Sequence, residues 1–240
     1  MKIKYDGVDL NEQFECFVVD RPLPEFRASG STVNGVDGDI FESATYGTRE
    51  IVLALYAIDK TQRGLQRAAR KVMELVGTHE EKKLVVGDER DYDGNQLYRK
   101  AVPIGVPEFT PYVHAGRFVI RFKQFDPFLY GKERAEQLMS LNQWHPFNTG
   151  GNVEAYPVII AKPISNVLTV EKFGGEHITF KGDIAGKTVT INTKKQTVKV
   201  EPEITTGEGL QLGSRFFSIK DGVAIRANCT AVVSWDERWL

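Results

Sequence analysis

One segment of the chain repeats strongly at the period of a helix, and almost everything around it reads as strand and turn. Between residues 61 and 76 the apolar positions include Leu65, Ala68, Ala69, Val72, Met73 and Val76, the spacing of one helical face. Asp59 stands as the N-cap, with Gln62 three residues on as in a capping box, and Gly77 lies where a left-handed C-cap residue belongs. The other face carries Lys60, Arg63, Arg67, Arg70 and Lys71, with only Glu74 to offset them. Arg63, Arg67 and Arg70 form a continuous stripe at i, i+4 and i+7. A solvated face is the commoner meaning of such a stripe. Its functional meaning is contact with a neighbouring subunit or an acidic ligand. No aromatic residue interleaves with it, so stacking on single-stranded nucleic acid is not indicated.

Strand patterns flank the helix. Residues 117–125 alternate, with Phe118, Ile120 and Phe122 on one side and Arg117, Val119, Arg121 and Lys123 on the other. Residues 14–19, 40–45, 50–58, 83–86 and 97–104 are further β-branched or apolar runs. Pro103, Pro107 and Pro111 confine pairing to sheet edges and predict a projecting hairpin or arm over residues 102–112. Residues 132–141 have some helical character, and residues 144–152 read as turns and linker. That places a boundary near Gly150, between a first domain of residues 1–145 and a second of residues 150–240. Beyond it, strands are expected at 158–161, 168–172, 176–180, 188–192, 197–200, 215–219, 223–227 and 230–235, at the spacing of an antiparallel sandwich, with no helix. The expected class is α+β, mostly β.

Composition narrows the function. With 31 Lys and Arg against 32 Asp and Glu, the chain lacks the basic balance of a nucleic-acid coat. No apolar run is long enough to span a bilayer, and the first residues lack the apolar core of a signal peptide, so a cytoplasmic origin is expected. Cys16 and Cys229 each sit in strand-like apolar runs and read as buried thiols, with a disulfide as the alternative. His79, His114, His145 and His177 have no His or Cys partner at metal-ligand spacing, so no metal site is expected. Gly182-Asp-Ile-Ala-Gly186-Lys187-Thr188 has three residues where a phosphate loop has four between its glycines, and a strand rather than a helix follows, so it reads as a hairpin turn. Acidic pairs such as Asp88/Glu89 fall in a loop, and no nucleophile elbow is present. The chain is read as non-enzymatic, with no catalytic residue and no cofactor.

A set of ordered fragments adds to this reading. Tyr5-Asp-Gly-Val-Asp-Leu10 opens the chain, followed by Val19-Asp-Arg-Pro22, a turn at Asp37-Gly38, and Gly47-Thr-Arg-Glu-Ile51 ahead of the helix. Phe122-Lys-Gln-Phe-Asp-Pro-Phe-Leu-Tyr-Gly131 closes the first half. Asn148-Thr-Gly-Gly-Asn and Ala155-Tyr-Pro-Val158 open the second, and Val232-Val-Ser-Trp-Asp-Glu-Arg-Trp-Leu240 ends it. In order and spacing these resemble the distal tail proteins of long-tailed, non-contractile bacteriophages. The resemblance implies a first α+β domain that assembles into a ring, usually hexameric, and a galectin-like β-sandwich at its periphery. It implies a virion tail tip built in the host cytoplasm. The neighbours implied are the tail tube, tape measure and tail-tip hub proteins, with receptor-binding proteins as a further candidate. On that reading Arg63, Arg67 and Arg70 line a subunit or lumen surface. The alternative is a carbohydrate-binding module recognising cell-wall glycans, for which Trp144, Trp235 and Trp239 are the available aromatic platforms.

Overall fold

The computed structural model describes residues 2–35, 37–59, 61–138, 141–205 and 208–240. The chain divides into two compact units, Met1–Tyr130 and Gly131–Leu240. In the first, strands Ile3–Tyr5 (β1), Val8–Asp9 (β2), Glu15–Asp20 (β3), Phe26–Thr32 (β4), Asp39–Tyr46 (β5), Arg49–Ile58 (β6), Lys82–Val86 (β7), Arg99–Pro111 (β8) and Ala115–Gln124 (β9) surround one helix, Gln62–Val76 (α1). Seven of these strands form a sheet in the order β2-β1-β7-β8-β9-β6-β3, while β4 and β5 pair only with each other.

The sheet is built by alternation. Ile51, Leu53 and Leu55 of β6 lie opposite Phe122, Ile120 and Phe118 of β9, and all six are buried on one face. Leu65 and Val72 of α1 close over that core, each burial worth about 1.5–3 kcal/mol. The helix departs from expectation at both ends and on one position of its face. Its N-cap is Thr61, whose hydroxyl accepts from the Gly64 N–H; Asp59 instead accepts from the Thr61 amide and hydroxyl, bracing the cap from outside. Gly77 is not left-handed: at φ −71° it simply donates to the Met73 carbonyl. Met73 is exposed rather than packed.

The proline-rich segment is one strand of the expected hairpin, closed by the Tyr112 amide donating to the Ala115 carbonyl, but the hairpin lies within the sheet rather than projecting from it. β8 pairs with β9 from Val102 to Pro111 across a bulge between Ile104 and Glu108, and β9 is backed along its length by β6. Pairing of β7 with β8 ends at Ala101, so Pro103, Pro107 and Pro111 occupy the stretch that needs no donor on its second side.

Several of the ordered sequence fragments meet in a polar network at one end of this unit. Buried Arg49 donates to the carbonyls of Pro22 and Pro127. Arg99, fully buried, is held by Glu89 and by Gln124 at 3.1 Å, and Arg21 bridges Asp88 and Glu89. Burial and the neighbouring Arg49 and Arg21 guanidiniums pull Arg99 down to about 9, still charged at neutral pH.

The second unit holds strands Leu129–Leu138 (β10, which begins in the first unit), His145–Pro146 (β11), Val158–Ala161 (β12), Val167–Lys172 (β13), His177–Lys181 (β14), Val189–Asn192 (β15), Thr197–Val200 (β16), Glu203–Thr205 (β17), Ala224–Ala227 (β18) and Ala231–Trp239 (β19). They form two sheets, β10-β19-β12-β15-β16-β17 and β11-β18-β13-β14, around one core that includes Ile159, Leu168, Ile178, Ile191, Ile225 and Val233.

Three expectations are corrected here. Residues 132–138 are strand, not helix, with Met139 and Ser140 outside the described residues: the charged run lies on an edge strand beside β19, and sheet pairing overrides its helical propensity. Residues 215–219 are extended but form no strand; only Ile219 bridges, to Ala155. The glycine-rich loop at 182–188 is not a hairpin turn, because β14 and β15 belong to different sheets; buried Ile184 plugs it into the core.

The Asn148–Asn152 fragment is a clamp on the end of β19. Asp221 accepts from the Thr149 amide and hydroxyl, Trp235 Nε1 donates to the Thr149 carbonyl at 3.1 Å, and the Leu240 amide donates to Asn152. Gly151 lies so close to the Arg238 backbone that a Cβ would fall 2.1 Å from its carbonyl oxygen.

Candidate functional site

Three exposed surfaces of the first unit are candidates for contact with a protein partner. Arg63, Arg67 and Arg70 project from the outer face of α1, all exposed, and no ion pair is found for any of them among the described residues. The structure therefore brings the three onto one free basic face. Arg67 and Lys71 border a shallow cleft of about 320 Å³ whose rim includes Glu12 and Asp59. Lys60 lies outside the described residues.

The β4–β5 hairpin is half expected: the 40–45 run and the turn at Asp37-Gly38 are legible in the sequence, while β4 is not. Every residue of both strands is exposed, including Phe26, Ile40, Phe41 and Tyr46. The ribbon is internally well made: Ser29 and Ser43 hydroxyls bond at 2.7 Å, Thr32 donates to Asp39 at 2.8 Å, and Phe26 meets Tyr46 edge-on at 5.6 Å. An isolated two-stranded ribbon is nonetheless marginal in water, and exposed aromatic rings on it leave apolar surface to be covered. The Asn34-Gly35 and Asp37-Gly38 pairs, with both glycines at positive φ, are the turn signal that reveals it; Val36 between them lies outside the described residues.

A second uncovered surface lies at the β3 edge of the seven-stranded sheet, on the face away from α1. Phe17 and Val19 are exposed there beside Tyr56, with Phe17 meeting Tyr56 edge-on at 5.7 Å. Glu15, Ala54 and Arg117 complete a hollow of about 370 Å³. Arg117 sits with its guanidinium 6.0 Å from the Tyr56 ring, and its buried Nε has no hydrogen-bond partner among the described residues. β3 also ends the strand order, so one side of its backbone is open to another strand.

Comparison with known proteins places the chain in a family. The phage tail protein RIFT-related domain matches residues 5–123, and the C-terminal domain of the siphovirus-type tail component matches residues 150–239. The chain belongs to the siphophage distal tail protein family. The Dit protein (gp 19.1) of phage SPP1, described with its crystal structure as a paradigm of the hub adsorption apparatus in phages infecting Gram-positive hosts, shares the fold. Its TM-score is 0.75 at 16% identity, covering 100% of this chain and 99% of that one. Chains of the phage P2 baseplate in its activated conformation, one with Ca and one with Sr, match at a TM-score of 0.52 and 10% identity, over 98% of this chain and 97% of theirs. No curated protein sequence matches the chain.

This distal tail protein is a structural tail component. Its two thiols are buried and unbonded; burial pushes Cys16 up to about 12 and Cys229 to about 11, away from nucleophilic chemistry. Trp235 and Trp239 are buried in the second unit and offer no platform, whereas Trp144 remains 40% exposed.

Proposed function

We propose that this distal tail protein works by closing a ring of copies of itself, six in number, between the tail tube and the host-adsorption apparatus. The first domain forms the ring and the second is carried at its periphery. Its further partners are the tail tube, tape measure and tail-tip hub proteins, with receptor-binding proteins as a candidate for the second domain. Assembly takes place in the bacterial host cytoplasm, and the protein acts without catalysis.

The observation that carries this reading is the β4–β5 hairpin, whose Phe26, Ile40, Phe41 and Tyr46 face solvent in the single chain. A ring needs two different patches that meet head to tail and close by rotation. The hairpin supplies one, and the open β3 edge with Phe17, Val19 and Tyr56 supplies a second of matching chemistry. The Arg63, Arg67 and Arg70 stripe adds a charged surface for a subunit or lumen contact. The similar chains of the phage P2 baseplate support the same place in the particle.

The test is the molar mass by light scattering over a dilution series. Six copies of the 27.0 kDa chain weigh about 160 kDa, and that species is expected to persist. Replacing residues 27–45 with a short Gly-Ser turn is expected to leave a folded monomer. A monomer at every concentration, with and without the neighbouring tail proteins, would overturn the reading.

A further inference from the structure

The outer face of the four-stranded sheet carries a cluster apart from the surfaces assigned above to ring formation. Strand register sets a row across it: Glu171 pairs with His177 on one side and with Arg226 on the other. Trp144 lies one residue before His145, which pairs with Ile225, and so completes the row beside Arg226. Ile225, Ala227, Leu168, Val170 and Ile178 on the alternate positions are core, so the row points outward from a rigid support. Four neighbouring strands space it over about 14 Å.

The side chains in the row are already organised. The Arg226 guanidinium lies 4.5 Å from the Trp144 ring centroid and its Nε donates to Glu171 at 2.6 Å. That pins the indole by a cation–π contact and the guanidinium by a carboxylate. Phe173 stands at 84° to Trp144, 5.6 Å between centroids, and is 69% exposed. The two rings form an apolar corner next to fixed donors and acceptors. Lys172 and Glu176 form a further pair beside it.

We infer that this row binds a neutral oligosaccharide. Sugars present an apolar C–H face to stack on an aromatic ring and a rim of hydroxyls that both donate and accept. Trp144 and Phe173 match the first, and Arg226, Glu171 and His177 match the second. Charge on this face is mixed rather than basic: Arg226 is matched by Glu171 and the neighbouring Lys172 by Glu176, which leaves Lys181 as an exposed cation without an ion pair among the described residues, a weak field for an anionic polymer. A protein partner would need a desolvated apolar centre, whereas here the rings are ringed by paired charges in water.

The full-length protein is screened on an array of neutral and anionic glycans, and each hit is titrated by isothermal titration calorimetry, a readout that does not depend on the substituted rings. Saturable binding of a neutral saccharide is expected, weakened about tenfold or more by Phe173→Ala and by Trp144→Ala. Both variants keep the wild-type melting temperature and molar mass, which separates this result from a failure of ring assembly. Phe173→Ala, being at an exposed ring, keeps the test sound if Trp144→Ala fails to fold. Absence of any neutral hit, binding undiminished in both variants, or preference for anionic polymers would overturn the inference, as would a tail protein found bound at these residues.

Discussion

Replacing Phe41 with Ala separates a contact made between copies from one made within the chain. Phe41 is 68% exposed in the single chain, so its ring contributes little to the fold. If a neighbour covers it, the truncation removes about 100 Å² of apolar contact, or about 2.5 kcal/mol at each interface. That corresponds to roughly 70-fold weaker association per contact. Stability of the isolated chain is expected to change by less than about 0.5 kcal/mol, as for other surface substitutions. Sedimentation velocity across a concentration series reads the first quantity and thermal unfolding of the monomeric fraction reads the second. An unmoved assembly midpoint, or a large drop in monomer stability, would refute the reasoning.

Changing Arg63, Arg67 and Arg70 together to Ala should leave the fold intact and weaken assembly or tail joining; unchanged oligomer size and normal tail formation in a complementation assay would count against a role for the stripe. Asp221 is held below the usual carboxylate range by the Thr149 hydroxyl and amide, so its contribution is complete at neutral pH, begins to fall below about pH 4 and is lost as acid passes through its lowered folded value. Asp221→Ala should therefore cost about 1–2 kcal/mol at pH 7 and progressively less as the pH falls below about 4, measured by denaturant melts over an acid series. Gly151→Ala drives a methyl group into the Arg238 backbone and should destabilise the second unit by about 3 kcal/mol or more, while hydrogen exchange in the first unit stays at wild-type levels.

How much of this was legible in the sequence depends on whether a face was buried. The helix at 62–76 and the strand at 115–124 were readable because one side of each meets the core, which imposes a period on Leu65 and Val72 or on Phe118, Ile120 and Phe122. In the second unit the same rule made most strands readable. It failed where burial imposes no pattern. The β4 strand, Phe-Arg-Ala-Ser-Gly-Ser-Thr, has both faces in solvent in the single chain and shows no alternation. The edge strand β10 places Lys132, Glu133 and Gln137 outward, so its sequence carries helix formers without an apolar stripe. Pro103, Pro107 and Pro111 signalled an open edge correctly but not which element projects from the sheet. The basic stripe was visible from spacing alone. The β3-edge hollow and the Trp144–Arg226–Glu171 row were not, because they depend on strand register between distant segments.

The central claim, that the hairpin of one copy seats on the next copy around a closed ring, is tested most directly by placing the photoreactive residue p-benzoylphenylalanine at position 41 and irradiating the assembled protein. The account predicts adducts between copies that map to the β3 edge around Phe17, Val19 and Tyr56, in a ladder that stops at six. Adducts confined to single chains, or a ladder with no upper limit, would contradict it.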